Sequence, residues 1–279
     1  MITNEQFLEH LQSEIRENKI TLPTLPEVAL KVRDAMESEN VTAKEIADIV
    51  TTDAALSARL LQVANSPLYA GRVPIEQVQM AVTRMGIKMV RSLVINLAMK
   101  QMFQPTTDSM EKHLRALWSE SVSVAALARA LSQTVPHLEA EQAMLAGLIH
   151  NIGALPILTM AEGIPEFAND EERLDALLAT LCPVVGQQIL ESWHFSESMV
   201  AVPANCYDLN YDSGSQQPNY ADVVIVARLQ IPEIAMANAN ADWNNIPAFS
   251  KMGLEPEVAV IEIEGVAEEV EAAEDLLMI

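Results

Sequence analysis

His150 and Asn151 close an apolar run, Ala143-Met-Leu-Ala-Gly-Leu-Ile-His-Asn-Ile-Gly153, and are its only strongly polar side chains. A polar pair at the end of so apolar a segment needs hydrogen-bond partners, because burying it unpaired is costly. Imidazole can ligate a metal, move a proton or simply complete a core, so two readings stand: a functional histidine and a satisfied core histidine. Two cysteines, Cys182 and Cys206, are the other soft ligands in the chain. If they converged on His150 they would offer zinc three ligands; as separate side chains they are small buried hydrophobes. Other chemistry is missing. There is no glycine-rich phosphate loop, no C-x-x-C pair, no H-E-x-x-H and no G-x-S-x-G. The acidic pairs Glu171/Glu172 and Glu268/Glu269 are sequence neighbours, which on a helix do not face each other and make no acid/base dyad.

The elements that must position these residues read as helices. Half of the 279 residues are hydrophobic, only 4% are aromatic, and there are 14 methionines against 9 glycines. Alanine, leucine, glutamate and methionine lose little rotamer freedom in a helix. A chain this long buries roughly 75% of its unfolded surface. Helical segments are expected over Ile2–Lys19, Glu27–Ser38, the stretch opened by the Thr42-Ala-Lys-Glu45 capping box, and the one opened by Asp53 and ended by Asn65-Ser66-Pro67. The Leu22–Pro26 stretch, with two prolines, breaks the first two apart. Ile75–Met85 and Met89–Phe103 flank Gly86, which suits a left-handed C-cap; the pair reads as packed core helices more readily than as a helix-turn-helix. Gln104–Asp108 is a polar break, which divides the chain into an N-terminal helical lobe, 1–104, and a second lobe, 105–279. Further helices are expected over Glu111–Gln133, Glu139–Ile149, Asp170–Leu181, Gly186–Trp193 and Ser196–Tyr207. Tyr211–Pro218 is a surface loop, Ala221–Leu229 a buried helix, and the acidic tail from Glu255 a solvated face rather than a partner-binding segment.

Charge narrows the function classes. Seventeen basic residues face 39 acidic ones, a formal net charge of −22. Such a surface repels phosphate backbones and anionic membranes, so neither nucleic acid nor membrane is an expected partner. Two cysteines are no disulfide framework and suit a reducing, cytoplasmic setting. The N-terminus lacks the basic start and apolar run of a signal peptide, and no run of 18 wholly apolar residues stands in the chain.

AGLIHNIG resembles the A-G-L-L-H-D-I-G motif of HD-domain phosphohydrolases. LPTLPEVALKV, LSARLLQVANSPLY and AVTRMGIKMVRSLV resemble the HDOD subfamily, a class of bacterial regulatory domains. Trp118-Ser-Glu-Ser121 with AALARALS, and Cys182-Pro-Val-Val-Gly186 followed by Leu190-Glu-Ser-Trp193, resemble its later motifs, so the resemblance runs over about residues 20–230. It implies an all-α, HD-like helical bundle with an N-terminal helical lobe. HD enzymes hold one or two metals with histidines, an adjacent His-Asp pair and a distal aspartate, and the carboxylate orients a nucleophilic water.

The departures from that pattern carry the functional expectation. By resemblance the first histidine position falls on Glu120 and the central pair is His150-Asn151. The H-x-x-x-G histidine falls on Cys182, the tandem histidines near Asn205-Cys206, and the last aspartate on Arg228. Of the ligands only His150 survives, and a guanidinium that is always protonated opposes a bound cation. No metal or other cofactor is therefore expected. The implied function is a non-catalytic signal-transduction domain working through contacts with signalling proteins. The alternative is a metal-dependent phosphohydrolase on a nucleotide or phosphodiester. At the vacated site an Arg228–Glu120 ion pair or an Arg228–Asn151 hydrogen bond is expected, with His150 in the same cluster.

Overall fold

Local sequence signals set the first helices of the chain, seen here in a computed structural model that describes residues 2–17, 20, 23, 26–35, 41–66, 69, 73–103, 108–168, 170–256 and 266–278. Thr3 and Gln6 form a capping box at the start of α1 (Asn4–Arg16), and Phe7 and Leu11, one turn apart, are its buried face. Next come α2 (Glu27–Ala35) and α3 (Ala43–Val50), the latter opened by the expected Thr42/Glu45 box. Asp53 caps α4 (Ala54–Ala64) by accepting from the Leu56 N–H at 2.9 Å. α5 (Val78–Met85) and α6 (Ile87–Met102) meet at Gly86. Its φ of 84° is the positive value expected, but with ψ at 150° it is an extended hinge rather than a left-handed cap.

The remainder builds the second half of the bundle. It comprises α7 (Asp108–Ser132), α8 (Ala140–Ile149), α9 (Ala154–Glu162), α10 (Pro165–Ala168), α11 (Glu171–Ser192), α12 (Glu197–Asn205) and α13 (Tyr220–Leu229). After them come α14 (Pro232–Ala237), a 3₁₀ turn at Trp243–Asn245, α15 (Pro247–Met252) and α16 (Val266–Met278). No strand occurs among the described residues, as expected. α7 and α8 form the most extensive pairing; α13, buried along nearly its whole length, packs on α7, α8, α12 and α15. α1 lies against α9 and α11, and α6 against α8, so elements from both ends of the chain contribute to one core. Of the Gln104–Asp108 break expected to divide the lobes, residues 104–107 lie outside the described residues and Asp108 opens α7; parts of the Leu22–Pro26 stretch, Ser38 and Pro67 also lie outside them.

Two expectations need correction, and one apolar segment needs comment. Asp170–Leu181 and Gly186–Trp193 are one continuous helix, α11, which carries Pro183 inside it. The proline forfeits its bond to the Ala179 carbonyl, and Ala179 is exposed, so water can satisfy that group. The tail from Glu255 is more than a solvated face. Its residues 266–278 form α16, which packs on α7, buries Ala273 and Leu277, and accepts at Glu274 a 2.7 Å bond from the Ser123 hydroxyl. Finally, Ala140–Glu162 is long and apolar enough by composition to cross a membrane, but 94% of its apolar window is buried in the protein as α8 and α9. It is a core segment, turned by the chain at His150–Gly153.

Candidate functional site

A close helix crossing places the candidate residues. Ala125, Ala126 and Ala128 give α7 a smooth buried flank, and α8 lays Gly147 on it. A Cβ at Gly147 would stand 2.4 Å from the Ala125 Cα, so only hydrogen fits there. That contact brings the C-terminal end of α8 beside the middle of α7. His150 Nδ1 lies 2.6 Å from the Gly147 carbonyl and Nε2 lies 3.3 Å from Glu120 Oε1. A carbonyl only accepts, so Nδ1 carries a hydrogen, and the Glu120 contact is an ion pair whenever the ring is protonated. Burial raises the Glu120 pKa, but the His150 hydrogen bond and charge, aided by Arg228, outweigh it and hold the carboxyl below its usual range.

Asn151 is held just as fully. The Ser121 hydroxyl lies 2.9 Å from Asn151 Oδ1 and equally close to the Leu117 carbonyl, while Asn151 Nδ2 donates to that carbonyl at 3.2 Å. The Asn151 carbonyl accepts from the Cys182 thiol at 3.5 Å. Cys206 Sγ stands 3.9 Å from the His150 carbonyl, not from its ring. Burial pushes the Cys182 thiol up to about 11 and Cys206 up to about 12, so both remain neutral thiols at pH 7.

Arg228 joins the cluster from α13, with different partners from those expected. Its guanidinium lies 4.0 Å over the Tyr207 ring, and Nη1 donates to the Cys206 carbonyl at 2.7 Å. Its Nε is buried without a partner. Neither an Arg228–Glu120 ion pair nor an Arg228–Asn151 bond forms, because Tyr207 and the Cys206 carbonyl take the guanidinium and His150 takes Glu120. Glu120, His150, Asn151, Cys182, Cys206 and Arg228 thus converge. Asn205 does not: its amide turns back to the Ala201 carbonyl of its own helix at 2.7 Å.

A cavity of about 350 Å³ opens beside this cluster, walled in part by Glu120, Asp175, Cys182, Tyr207, Arg228 and Asn238. His150 and Asn151 are fully buried and do not line it. Sequence reasoning missed Ser121 and Tyr207, although both adjoin residues it named. Among the described residues no three His, Cys, Asp or Glu side chains are placed to hold a metal ion, so the Cys182–Cys206–His150 zinc arrangement is not formed. Nor do these residues fit the metal centre of HD enzymes. The carboxylate position is an amide bonded on both its atoms, and a guanidinium stands near where a cation would be balanced.

An all-helical bundle that gathers a His-Asn pair with residues from α7, α11, α12 and α13 defines a protein of the HD-like class. The HDOD domain family matches residues 22–209, and the chain belongs to that family. Its fold is related to that of HD phosphohydrolases. The chain is similar, at 30% identity and a TM-score of 0.80, to the crystal structure of a candidate metal-dependent phosphohydrolase from Shewanella amazonensis SB2B, over 99% of this chain and 100% of that one. It shares its fold with an HDOD domain protein of unknown function from Geobacter sulfurreducens (22% identity, TM-score 0.66, 97% and 99% of the two chains). A Treponema pallidum (strain Nichols) protein is 26% identical over 137 residues, 47% of this chain but only 25% of that longer relative.

Proposed function

We propose that this chain is a non-catalytic regulatory domain of bacterial signal transduction that acts through contacts with signalling proteins in the cytoplasm. One observation carries the reading. The His-Asn pair that replaces the metal-binding His-Asp pair is sealed from the cavity, with its side-chain polar atoms bonded inside the protein. A pair shut away from solvent, with Asn151 bonded on both amide atoms and His150 Nε2 turned to the Glu120 carboxylate, gives a metal or an activated water no open position without unpacking the core. Membership of the HDOD family and two buried, neutral thiols are in keeping with this role and setting. The net charge of −22 argues for protein rather than nucleic-acid partners.

The competing reading, a metal-dependent phosphohydrolase on a nucleotide or phosphodiester, draws on the description of the Shewanella relative. One experiment separates them. The purified chain is loaded with Mn²⁺, Fe²⁺ or Zn²⁺, assayed for bound metal, and offered bis(4-nitrophenyl) phosphate and nucleoside triphosphates. Substoichiometric metal and no turnover are expected; stoichiometric metal with turnover overturns the reading. Cross-linking in the native cell then identifies the partner.

A further inference from the structure

We propose that a second cleft, between α6, the α7–α8 turn, the start of α12 and α13, binds a phosphate dianion, either free or as the phosphate of a small metabolite. The cleft holds about 410 Å³, within the range of small-molecule sites, and shares no wall with the Glu120 cavity. The proposal is therefore independent of the regulatory reading, and its failure would leave that reading intact.

Arg91 is the centre of the argument. It lines the cleft from α6, half-buried, and makes no hydrogen bond or ion pair among the described residues. Burial lowers its pKa, opposed only by the charges of Glu139 and Tyr220, yet a guanidinium stays protonated. A desolvated fork of donors with no acceptor is matched in geometry by a phosphate, which it can grip two-pronged. The remaining walls add donors. Ser196 is the N-cap of α12 but gives no capping bond, so the first N–H groups of this nine-residue helix keep no side-chain acceptor. The Ser196 and Ser198 hydroxyls lie 3.0 Å apart in the same wall. His194 reaches it through a left-handed φ of 55°, where the chain leaves α11 with the Phe195 N–H bonded to the Leu190 carbonyl at 3.0 Å. His137 completes the polar lining and donates Nε2–H to the Pro218 carbonyl at 2.8 Å. The one carboxylate in the lining, Glu139, forms an exposed ion pair with Lys88 at 2.6 Å and still acts on Arg91. Arg91 is thus the one Arg or Lys in the lining, and it faces a helix start that also carries the exposed Glu197. Phe195, Met199 and Tyr220 add an apolar side on which a ring can lie.

Calorimetric titration of the full chain at low salt tests this with two probes, inorganic phosphate and AMP. Saturable binding of at least one is expected, and Arg91→Gln should weaken it by about tenfold or more, as loss of a charged hydrogen-bond donor does. Because Arg91 is half-buried, Ser198→Glu provides a second variant at an exposed position, and its added charge should abolish binding without lowering the melting temperature. AMP binding more tightly than phosphate identifies a phosphorylated metabolite as the source; equal or weaker AMP binding identifies free phosphate. No saturable binding of either probe, or binding unchanged in both variants, overturns the proposal.

Discussion

Replacing Gly147 with alanine tests whether the α7–α8 crossing is what assembles the site. The new Cβ would lie 2.4 Å from the Ala125 Cα, 2.7 Å from its nitrogen and 2.9 Å from the Val124 carbonyl carbon. Carbon atoms rest at about 3.5–4.0 Å, so the helices must part by roughly 1.2 Å. The obstacle is main chain in the middle of α7, which cannot rotate aside as a side chain would. Overpacking of this kind costs about 1–3 kcal/mol, here toward the upper end. The better helix propensity of alanine returns about 1 kcal/mol. A net loss of about 2 kcal/mol should lower the melting temperature by roughly 4–8 °C for a domain of this size. The same displacement lengthens the His150–Glu120 contact, already 3.3 Å, beyond hydrogen-bonding range. Glu120→Gln should then cost less in the Gly147→Ala background than in the parent, a coupling that a double-mutant cycle in urea reads directly. Unchanged or increased stability in Gly147→Ala, with the Glu120→Gln effect intact, would refute the reasoning.

Three other perturbations have definite expected outcomes. Asn151→Asp restores the HD pair in name, but it removes the donor to Leu117 and buries an unpaired carboxylate; we expect no metal-dependent phosphodiester turnover and a loss of about 3 kcal/mol in urea unfolding. Arg228→Met deletes the cation over Tyr207 and the bond to the Cys206 carbonyl, and should cost about 2–4 kcal/mol by the same measurement. Glu120 has a folded pKa below its unfolded one, so its ionised form stabilises the protein above the ordinary carboxylate range. That contribution is lost as the pH falls through the folded value, and Glu120→Gln should flatten this part of the acid-stability curve.

Legibility in the sequence followed the range of the forces involved. Caps are local, so the Thr42 box and the Asp53 cap could be read directly and are present. The apolar, β-branched run from Ala221 was correctly placed as a buried helix because its neighbours left it no strand to pair with. Long-range compensation was harder to read. Pro183 stays inside α11 because the carbonyl it frees is at the surface, a fact about packing rather than about local sequence. The short α14 and α15 offer too few residues for a period to show, and their one signal was a proline at the first position, Pro232 and Pro247. In α16 the many acids masked Ala273 and Leu277, which sit four residues apart on one face and dock on α7.

At the site, the resemblance identified which residues meet but not how they bond. Counting charges suggested that Arg228 would pair with Glu120, the one carboxylate at a ligand position. Geometry decides otherwise. The Gly147 carbonyl fixes the His150 ring through Nδ1, and the ring's other nitrogen can then reach only toward α7, where Glu120 stands. Arg228, arriving from α13, meets the Tyr207 face and the Cys206 carbonyl first. The Arg228 guanidinium and the His150 ring thus stand near one carboxylate, and each is oriented by a main-chain carbonyl from a different helix end. Because those orienting bonds come from the backbone, no single side-chain reversal frees His150 Nε2, removes the guanidinium and opens Asn151 to the cavity together. On the proposed non-catalytic reading, what keeps a metal out is therefore the packing of α8 and α12 as well as the ligand positions themselves.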